Sequence, residues 1–170
     1  MSNLSQATRL QTLKLQNTRV TGDLSGLPQP TGLKVLHVQN TQVAGNISAL
    51  HSWSKLQTAE LSWTQVSGRI DRSWLGHCQQ LKTLKLAETK VSVRFDGKHD
   101  RHACALVGDC LLPKLATLDL SGCPLNSAAA DFLEGLRASP SLGTLNVGNA
   151  GLSGLVTGYI QDVQAVAVDL

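Results

Sequence analysis

The sequence is poor in aromatic residues and in cysteine. Aromatic side chains make up 4% of its 170 residues, as three Trp, two Phe and one Tyr. A core with so few aromatics has to be built from Leu, Val, Ile and Ala, which suits small repeated units better than one large irregular core. The four cysteines are too few for a disulfide scaffold and are not grouped at the ends of the chain: Cys78, Cys104, Cys110 and Cys123.

Segments that direct a chain into a membrane are also missing. No apolar run approaches the roughly 20 residues that a membrane helix needs. The first nine residues contain no apolar segment of the kind found in secretory signal peptides. We therefore expect no membrane span in this chain. These absences favour the cytoplasm, but the compartment stays open because we expect the chain to be a fragment of a longer protein.

The charge pattern and the motifs argue against nucleic-acid binding and catalysis. The formal net charge is +3, with ten Lys/Arg and four Asp/Glu in residues 1–92 and five and eight in residues 93–170. No basic run is interleaved with aromatics, so no nucleic-acid partner is expected. The sequence has no G-x-S-x-G, P-loop, H-E-x-x-H or glycine-rich dinucleotide turn. We expect no enzyme and no cofactor.

One pattern recurs along almost the whole chain: L-x-x-L-x-L-x-x-T-x-V-x-G-x-L. Copies start near residues 10, 33, 56, 81, 115, 142 and 163, at intervals of 23, 23, 25, 34, 27 and 21 residues. The L-x-L segment alternates as a half-buried strand does. Because one such strand cannot bury its apolar face alone, neighbouring copies are expected to stack in parallel and share a core, with Leu15, Val38, Leu61, Leu86, Leu120 and Val147 side by side.

The Thr position of the repeat indicates a turn. It is filled by Thr18, Thr41, Thr64 and Thr89, and then by Cys123 and Ala150. A buried hydroxyl without a partner is costly, so we expect an inward ladder of hydroxyls bonded to the backbone. Four glycines that follow the turn are expected to adopt positive φ or to allow close packing of coils: Gly22, Gly45, Gly68 and Gly154.

The repeat resembles the plant-specific class of leucine-rich repeats, which reads L-x-x-L-x-L-x-x-N-x-L-x-G-x-I-P. LQTLKLQNTRVTGDL and LKVLHVQNTQVAGNI match it with Thr for Asn, as in algal and other protist repeat proteins. The chain departs from the class by lacking the Pro. The resemblance implies an α/β, right-handed leucine-rich-repeat solenoid, a single domain over residues 1–170. It implies a parallel concave β-sheet of about seven short strands and a convex side of mixed turns, 3₁₀ segments and helix.

The fifth repeat, LATLDLSGCPLNSAAADFLEGLRASPSL, instead looks like the longer ribonuclease-inhibitor or cysteine-containing classes. A helix is readable here, because a capping residue at 126 or 127 precedes an apolar face and Pro140 follows it. The apolar face consists of Phe132, Leu133 and Leu136.

The long fourth interval carries an insertion at residues 93–113. It contains His99, His102, Cys104 and Cys110, whose spacing matches no strong zinc signature. We favour a loop with a short apolar patch packed on the solenoid edge, and expect no metal. Zinc binding and a Cys104–Cys110 disulfide stay as alternatives, and the loop is also a candidate contact site.

The binding surface that the resemblance implies is the concave sheet face. Strand alternation, extended over the two residues after each strand, gives these candidates: Lys14, Gln16, His37, Gln39, Glu60, Ser62, Trp63, Lys85, Glu88, Asp119 and Asn146. Trp63 stands out because interface hot spots are enriched in Trp, although it could instead fill a gap between coils. Trp53 and Trp74 lie in the return segments and are expected to be packed.

These features predict a module that binds a protein partner of unknown identity through the concave face. Two alternatives remain. The chain could be a structural spacer or assembly subunit that makes end-to-end contacts, because neither terminus shows a clear polar cap. From the plant-type resemblance, it could be an ectodomain fragment of a receptor-like kinase.

Overall fold

The computed structural model describes residues 9–27, 32–93, 112–125 and 139–151. Successive coils form a six-stranded parallel sheet in which each strand pairs with the equivalent strand of the next coil. In spatial order these strands are β1 (Thr12–Lys14), β3 (Val35–His37), β5 (Thr58–Glu60), β7 (Thr83–Lys85), β9 (Thr117–Asp119) and β10 (Thr144–Asn146). This is a solenoid of stacked parallel strands, as the repeat predicts. The seventh strand, predicted near residues 163–168, lies outside the described residues.

A second parallel sheet was not predicted. Its strands follow the Thr turn and are β2 (Thr21–Asp23), β4 (Gln42–Asn46), β6 (Gln65–Ile70) and β8 (Lys90–Val93). The V-x-G-x-I part of the repeat has a period of two, so Val43 and Ile47 both point into the core, where they are fully buried. The returns behind this sheet are short: 3₁₀ segments at Leu24–Gly26 and Ile47–Ser52, and helix α1 at Arg72–His77.

The aliphatic positions of successive coils form one continuous core, as predicted. Val38, Leu61, Leu86 and Leu120 are each 0% exposed and Val147 is 3% exposed, while Leu15 in the first coil is half-buried and packs against the same cluster. Each fully buried Leu or Val contributes on the order of 1.5–3 kcal/mol. The core therefore holds the strands at fixed positions along the solenoid.

The backbone bonds of the Thr ladder are confirmed in four coils and its inward direction in three of them. In all four coils the Thr hydroxyl donates to the carbonyl oxygen three residues earlier, at 2.7 Å for Thr18, 2.7 Å for Thr41, 2.6 Å for Thr64 and 2.8 Å for Thr89. Each hydroxyl also accepts a hydrogen bond from the backbone N–H two residues later, at 3.3–3.4 Å. Thr41, Thr64 and Thr89 are buried, whereas Thr18 in the first described coil is exposed.

Cys123 takes the same slot in the fifth coil but bonds differently. Its thiol is fully buried and donates to the Leu86 carbonyl oxygen of the preceding coil at 3.0 Å. Burial raises the pKa of this thiol, and burial also raises the pKa of Cys78 to about 12. Both cysteines are free thiols that pack as small apolar groups.

The glycines after the turn behave as expected where they are described. Gly22, Gly45 and Gly68 have φ of 139°, 110° and 108°. At Gly68 an added Cβ would also collide with the side chain of Asn46. Both the positive φ and this collision therefore exclude larger residues at the position. Gly154, the predicted helix at 126–138 and the insertion residues 94–111 lie outside the described residues.

Candidate partner-binding surface

The last residues of the six strands of the first sheet lie side by side. The strand register aligns them one by one, and we call them the strand-end row: Lys14, His37, Glu60, Lys85, Asp119 and Asn146. Their neighbours before them in each strand are buried, and each row residue is exposed or half-exposed. The alternation predicted from the sequence is therefore found within the strands.

The middle of this row is a small ionic network. Glu60 Oε1 lies 3.0 Å from Lys85 Nζ of the next coil, and Glu60 Oε2 accepts a hydrogen bond from Gln39 Nε2 of the preceding coil at 2.9 Å. Side-chain exposure is 18% for Glu60 and 42% for Lys85. An exposed pair of this kind adds about 0–1 kcal/mol. Its main effect is to fix three side chains of the predicted surface in one arrangement.

The last two described members of the row accept hydrogen bonds from the turn that follows their own strand. Asp119 Oδ1 accepts hydrogen bonds from the backbone N–H and the hydroxyl of Ser121, at 3.0 and 2.7 Å. Asn146 Oδ1 accepts from the backbone N–H of Gly148 at 3.0 Å. These local bonds are typical of Asp and Asn in turns. One side-chain oxygen of Asp119 and of Asn146 is therefore already hydrogen-bonded within a turn. Lys14, at the other end of the row, is exposed.

The second position after each strand was predicted to face outward, and this prediction is wrong for Ser62. Ser62 is 4% exposed, and its hydroxyl accepts a hydrogen bond from the backbone N–H of Ala87 at 3.1 Å. Gln16 and Gln39 at the equivalent position are half-buried, with their Oε1 atoms enclosed. β5 ends at Glu60, two residues before Ser62, so the period of two no longer holds where the chain turns. Ser62 is thus part of the turn and not of the surface.

The next position has a left-handed backbone in all six described coils, which the sequence analysis did not predict. We call these residues the left-handed row: Asn17, Asn40, Trp63, Glu88, Gly122 and Asn149, with φ of 58°, 55°, 54°, 54°, 67° and 52°. Asn and Gly tolerate this conformation, whereas other residues pay roughly 1–2 kcal/mol. Asn and Gly fill four of the six positions, which was the available signal. Trp63 and Glu88 are the exceptions.

Trp63 is the exposed large hydrophobic residue of the described chain, at 61% exposure. Its backbone N–H donates to the Ala87 carbonyl oxygen at 2.8 Å, so the residue is held in register while the indole points outward. Trp53 and Trp74 are 2% and 1% exposed, as predicted. The alternative that Trp63 fills a gap between coils is wrong.

The neighbours of Trp63 in the left-handed row are polar. On one side, Asn40 Nδ2 donates to Asn17 Oδ1 at 3.1 Å. On the other, the Glu88 carboxylate lies over Gly122, where an added Cβ would be 2.5 Å from Glu88 Oε1. Trp63 therefore lies between Asn40 and Glu88 in the left-handed row, three residues after Glu60.

Two further features of the described residues bear on function. They contain no group of three or more His, Cys, Asp or Glu side chains placed to hold a metal ion. No helix among them is long and apolar enough to cross a membrane. The four His and Cys residues of the insertion are outside the described part of the chain, so their alternatives stay untested.

Comparison with solved structures defines the fold. A leucine-rich-repeat protein of Leptospira interrogans superposes with a TM-score of 0.70 at 16% identity, over 96% of this chain and 38% of its own. The ectodomain of the Arabidopsis receptor kinase HAESA, solved with a peptide hormone, gives 0.66 at 24% identity, over 96% and 27%. An internalin from Listeria monocytogenes gives 0.61 at 17% identity, over 100% and 57%.

The chain therefore has the leucine-rich-repeat solenoid fold. It spans less than two thirds of the length of each of these proteins. No protein-family model matches the sequence, and no curated protein matches it significantly.

Proposed function

We propose that this chain is a non-catalytic interaction module that binds a protein or peptide across the first sheet, with Trp63 as the central anchor. The observation that carries the proposal is the 61% exposed indole on a left-handed backbone. An exposed Trp gains little from packing, and the backbone conformation costs roughly 1–2 kcal/mol. Residues that keep such a strained conformation are concentrated at functional sites.

The surroundings of Trp63 suit an interface. Glu60 and Lys85 are held by their ion pair and by Gln39, so little side-chain entropy is lost when a partner contacts them. An aromatic anchor next to ordered polar groups is the usual composition of a binding hot spot. The HAESA ectodomain is described in complex with a peptide hormone ligand, which supports a peptide or protein partner for this fold.

The non-catalytic part of the proposal is supported by the thiols. Cys78 and Cys123 are buried and burial raises the pKa of both, so neither is a thiolate available to substrate at neutral pH. The carboxylates of the first sheet are bonded to Lys85 or to turn backbone, as Glu60 and Asp119 show.

The test is a selection of binding peptides from a displayed random library, followed by affinity measurements on variants. Trp63→Asn introduces the residue that the same position carries in three other coils, so the fold should be kept. We expect it to weaken binding by at least tenfold, which is about 1.4 kcal/mol. The control is Gln65→Ala, an exposed residue of β6 in the second sheet, which should leave affinity unchanged.

Equal affinities for Trp63→Asn and the wild type would refute Trp63 as the anchor. If the chain were a structural spacer instead, the selection should return no peptide whose binding depends on the first sheet. The affinity of a selected peptide for a Lys85→Ala variant distinguishes these outcomes, because a peptide that binds across the first sheet should lose affinity both for this variant and for Trp63→Asn.

A further inference from the structure

An open groove of about 560 Å³ lies against the second sheet, apart from the proposed partner-binding surface. It is lined by residues of strands β4, β6 and β8, of the 3₁₀ segment Ile47–Ser52 and of the start of α1. The Trp74 indole N–H donates to the Ile47 carbonyl oxygen at 3.0 Å, which ties the helix to the 3₁₀ segment. The groove is thus a fixed feature of three neighbouring coils.

The strands that line the groove present two cations. Arg69 on β6 pairs in register with Ser92 on β8, while Lys90 at the start of β8 pairs with Ser67, so the two cations lie on adjacent strands. Both are exposed and both line the groove. The ion pair seen among the described residues is Lys85–Glu60, so neither Arg69 nor Lys90 has a carboxylate partner there.

Two further side chains in the groove lining carry hydrogen-bond donors without a partner among the described residues. Asn46 Oδ1 accepts from the Ser48 backbone N–H at 2.9 Å, which leaves the Asn46 amide NH₂ and the Ser48 hydroxyl unbonded within the described chain. His51 Nε2 is enclosed and has no hydrogen-bond partner among the described residues. Arg69, Lys90, Asn46 and Ser48 therefore bring donors from three strands and a 3₁₀ segment to one groove, and an acceptor-rich ligand would satisfy them.

Asp71 is the carboxylate in the lining. Its Oδ1 accepts a hydrogen bond from the Trp74 backbone N–H at 2.9 Å, so this oxygen caps α1. The charged side chains in the lining are then two cations and one carboxylate. Asp71 directly follows β6 and caps α1, whereas Arg69 and Lys90 lie on β6 and β8, so these two strands contribute cations and no carboxylate to the groove.

The pKa of His51 depends on the burial of its ring and on the charged groups near it. Its ring stacks on His77 with centroids 4.7 Å apart, and burial lowers the pKa of His51, the charge of His77 lowers it further and the Asp71 carboxylate partly raises it. The charged groups that line the groove with it are Arg69, Lys90 and Asp71. An anion placed beside the ring would favour the imidazolium and so raise the pKa of His51.

We propose that this groove binds a tetrahedral oxyanion, either free phosphate or sulfate or the phosphoryl group of a larger molecule. Arg69 and Lys90 neutralise its charge, and the Asn46 amide and the Ser48 hydroxyl supply further hydrogen bonds, with the His51 ring also in the lining. Donors that approach from several directions match the four oxygens of a tetrahedral anion better than the two of a carboxylate. The site is independent of Trp63 and of the first sheet.

The experiment is a titration of the wild-type chain with inorganic phosphate at constant ionic strength, followed by NMR of the His51 ring. Parallel titrations use sulfate, O-phosphoserine and acetate. We expect saturable shifts with the tetrahedral anions, weak shifts with acetate and a rise in the His51 pKa. Stronger binding of O-phosphoserine than of phosphate identifies a phosphoryl group on a larger molecule as the ligand, and equal binding identifies the free anion.

Variants separate a site from general charge attraction. Arg69→Gln and Lys90→Gln should each weaken phosphate binding about tenfold, as expected for loss of a charge-assisted contact. Lys55→Gln removes the same charge from an exposed turn outside the groove and should change nothing. Asp71→Asn keeps the helix cap and should tighten phosphate binding.

Four results would overturn the proposal. One is the absence of saturable phosphate binding, and another is an equal loss in Lys55→Gln and Arg69→Gln. The third is weaker phosphate binding by Asp71→Asn, because removing a carboxylate cannot weaken a site that recognises an anion by charge. Binding of acetate as tight as phosphate would also contradict the tetrahedral assignment.

Discussion

Replacing Thr64 by Val tests the hydroxyl ladder directly. The two side chains have nearly the same shape, so the substitution removes hydrogen bonds without opening a cavity. Thr64 is 2% exposed, donates to the Leu61 carbonyl oxygen at 2.6 Å and accepts from the Val66 N–H at 3.4 Å. Val at this position retains the packing and loses both interactions.

The expected loss of stability in Thr64→Val depends on the carbonyl oxygen that is left without a hydrogen-bond partner. The Leu61 carbonyl oxygen has no other partner among the described residues, and a buried polar group left without a partner costs about 1–3 kcal/mol. The added methyl group returns up to about 0.8 kcal/mol. We expect a net loss of about 1–2 kcal/mol in the free energy of unfolding, which lowers the Tm of a chain of this size by roughly 2–8 °C.

Thr18 supplies the matched control. Its hydroxyl makes the same two bonds, to the Leu15 carbonyl oxygen at 2.7 Å and from the Val20 N–H at 3.4 Å, but the residue is exposed. Because water can replace the lost bonds, Thr18→Val should change stability by less than about 0.5 kcal/mol. Urea denaturation followed by circular dichroism measures both. Equal losses in the two variants, or a more stable Thr64→Val chain, would refute the reasoning.

Three further substitutions, one of them with a matched control, probe the backbone and the groove. Glu88→Asn should raise the free energy of unfolding by about 1 kcal/mol in urea denaturation, because Asn accepts the φ of 54° more readily; no gain would mean that the left-handed position is unstrained. Gly68→Ala should lower it by about 2 kcal/mol, since its φ is 108° and its Cβ would meet Asn46, whereas Gly26→Ala has open space and should be nearly neutral. Burial lowers the pKa of His51 below 6.5, so the unfolded chain binds the proton more readily and stability falls as pH drops below about 6.5. His51→Gln should flatten that decline in denaturation midpoints measured from pH 8 to pH 5, and an unchanged slope would argue against a role of this ring.

The sequence predicts those features that depend on one coil repeating the next. Thr64 could be placed in a buried hydrogen-bonded turn because the same slot recurs with the same spacing, and a buried hydroxyl requires a partner. The stacking of Leu61 on its equivalents follows from the same recurrence. The second sheet was missed, although Val43 and Ile47 alternate as strand residues do.

Features in which one coil differs from its neighbours were harder to predict. Ser62 was placed on the surface by extending the strand alternation beyond the end of β5, where the backbone turns. The left-handed conformation of Trp63 could have been inferred only from Asn and Gly at the same position of other coils. The groove near His51 depends on return segments that vary in length and conformation, and no repeat pattern encodes how these segments meet.

The hydroxyl bonds of Thr41 and Thr64 have one more consequence, for how such a molecule can change length. Both bonds of each hydroxyl close within a single repeat and cross no boundary to the next. Each of these two coils therefore closes its own turn, unlike the fifth coil, whose Cys123 thiol bonds to Leu86 of the coil before it. Duplicating such a coil by recombination would insert a turn that needs no bond from a neighbouring coil, and would move all later coils by about 4.8 Å. The distance between two binding residues on different coils can therefore change in evolution while both residues stay the same.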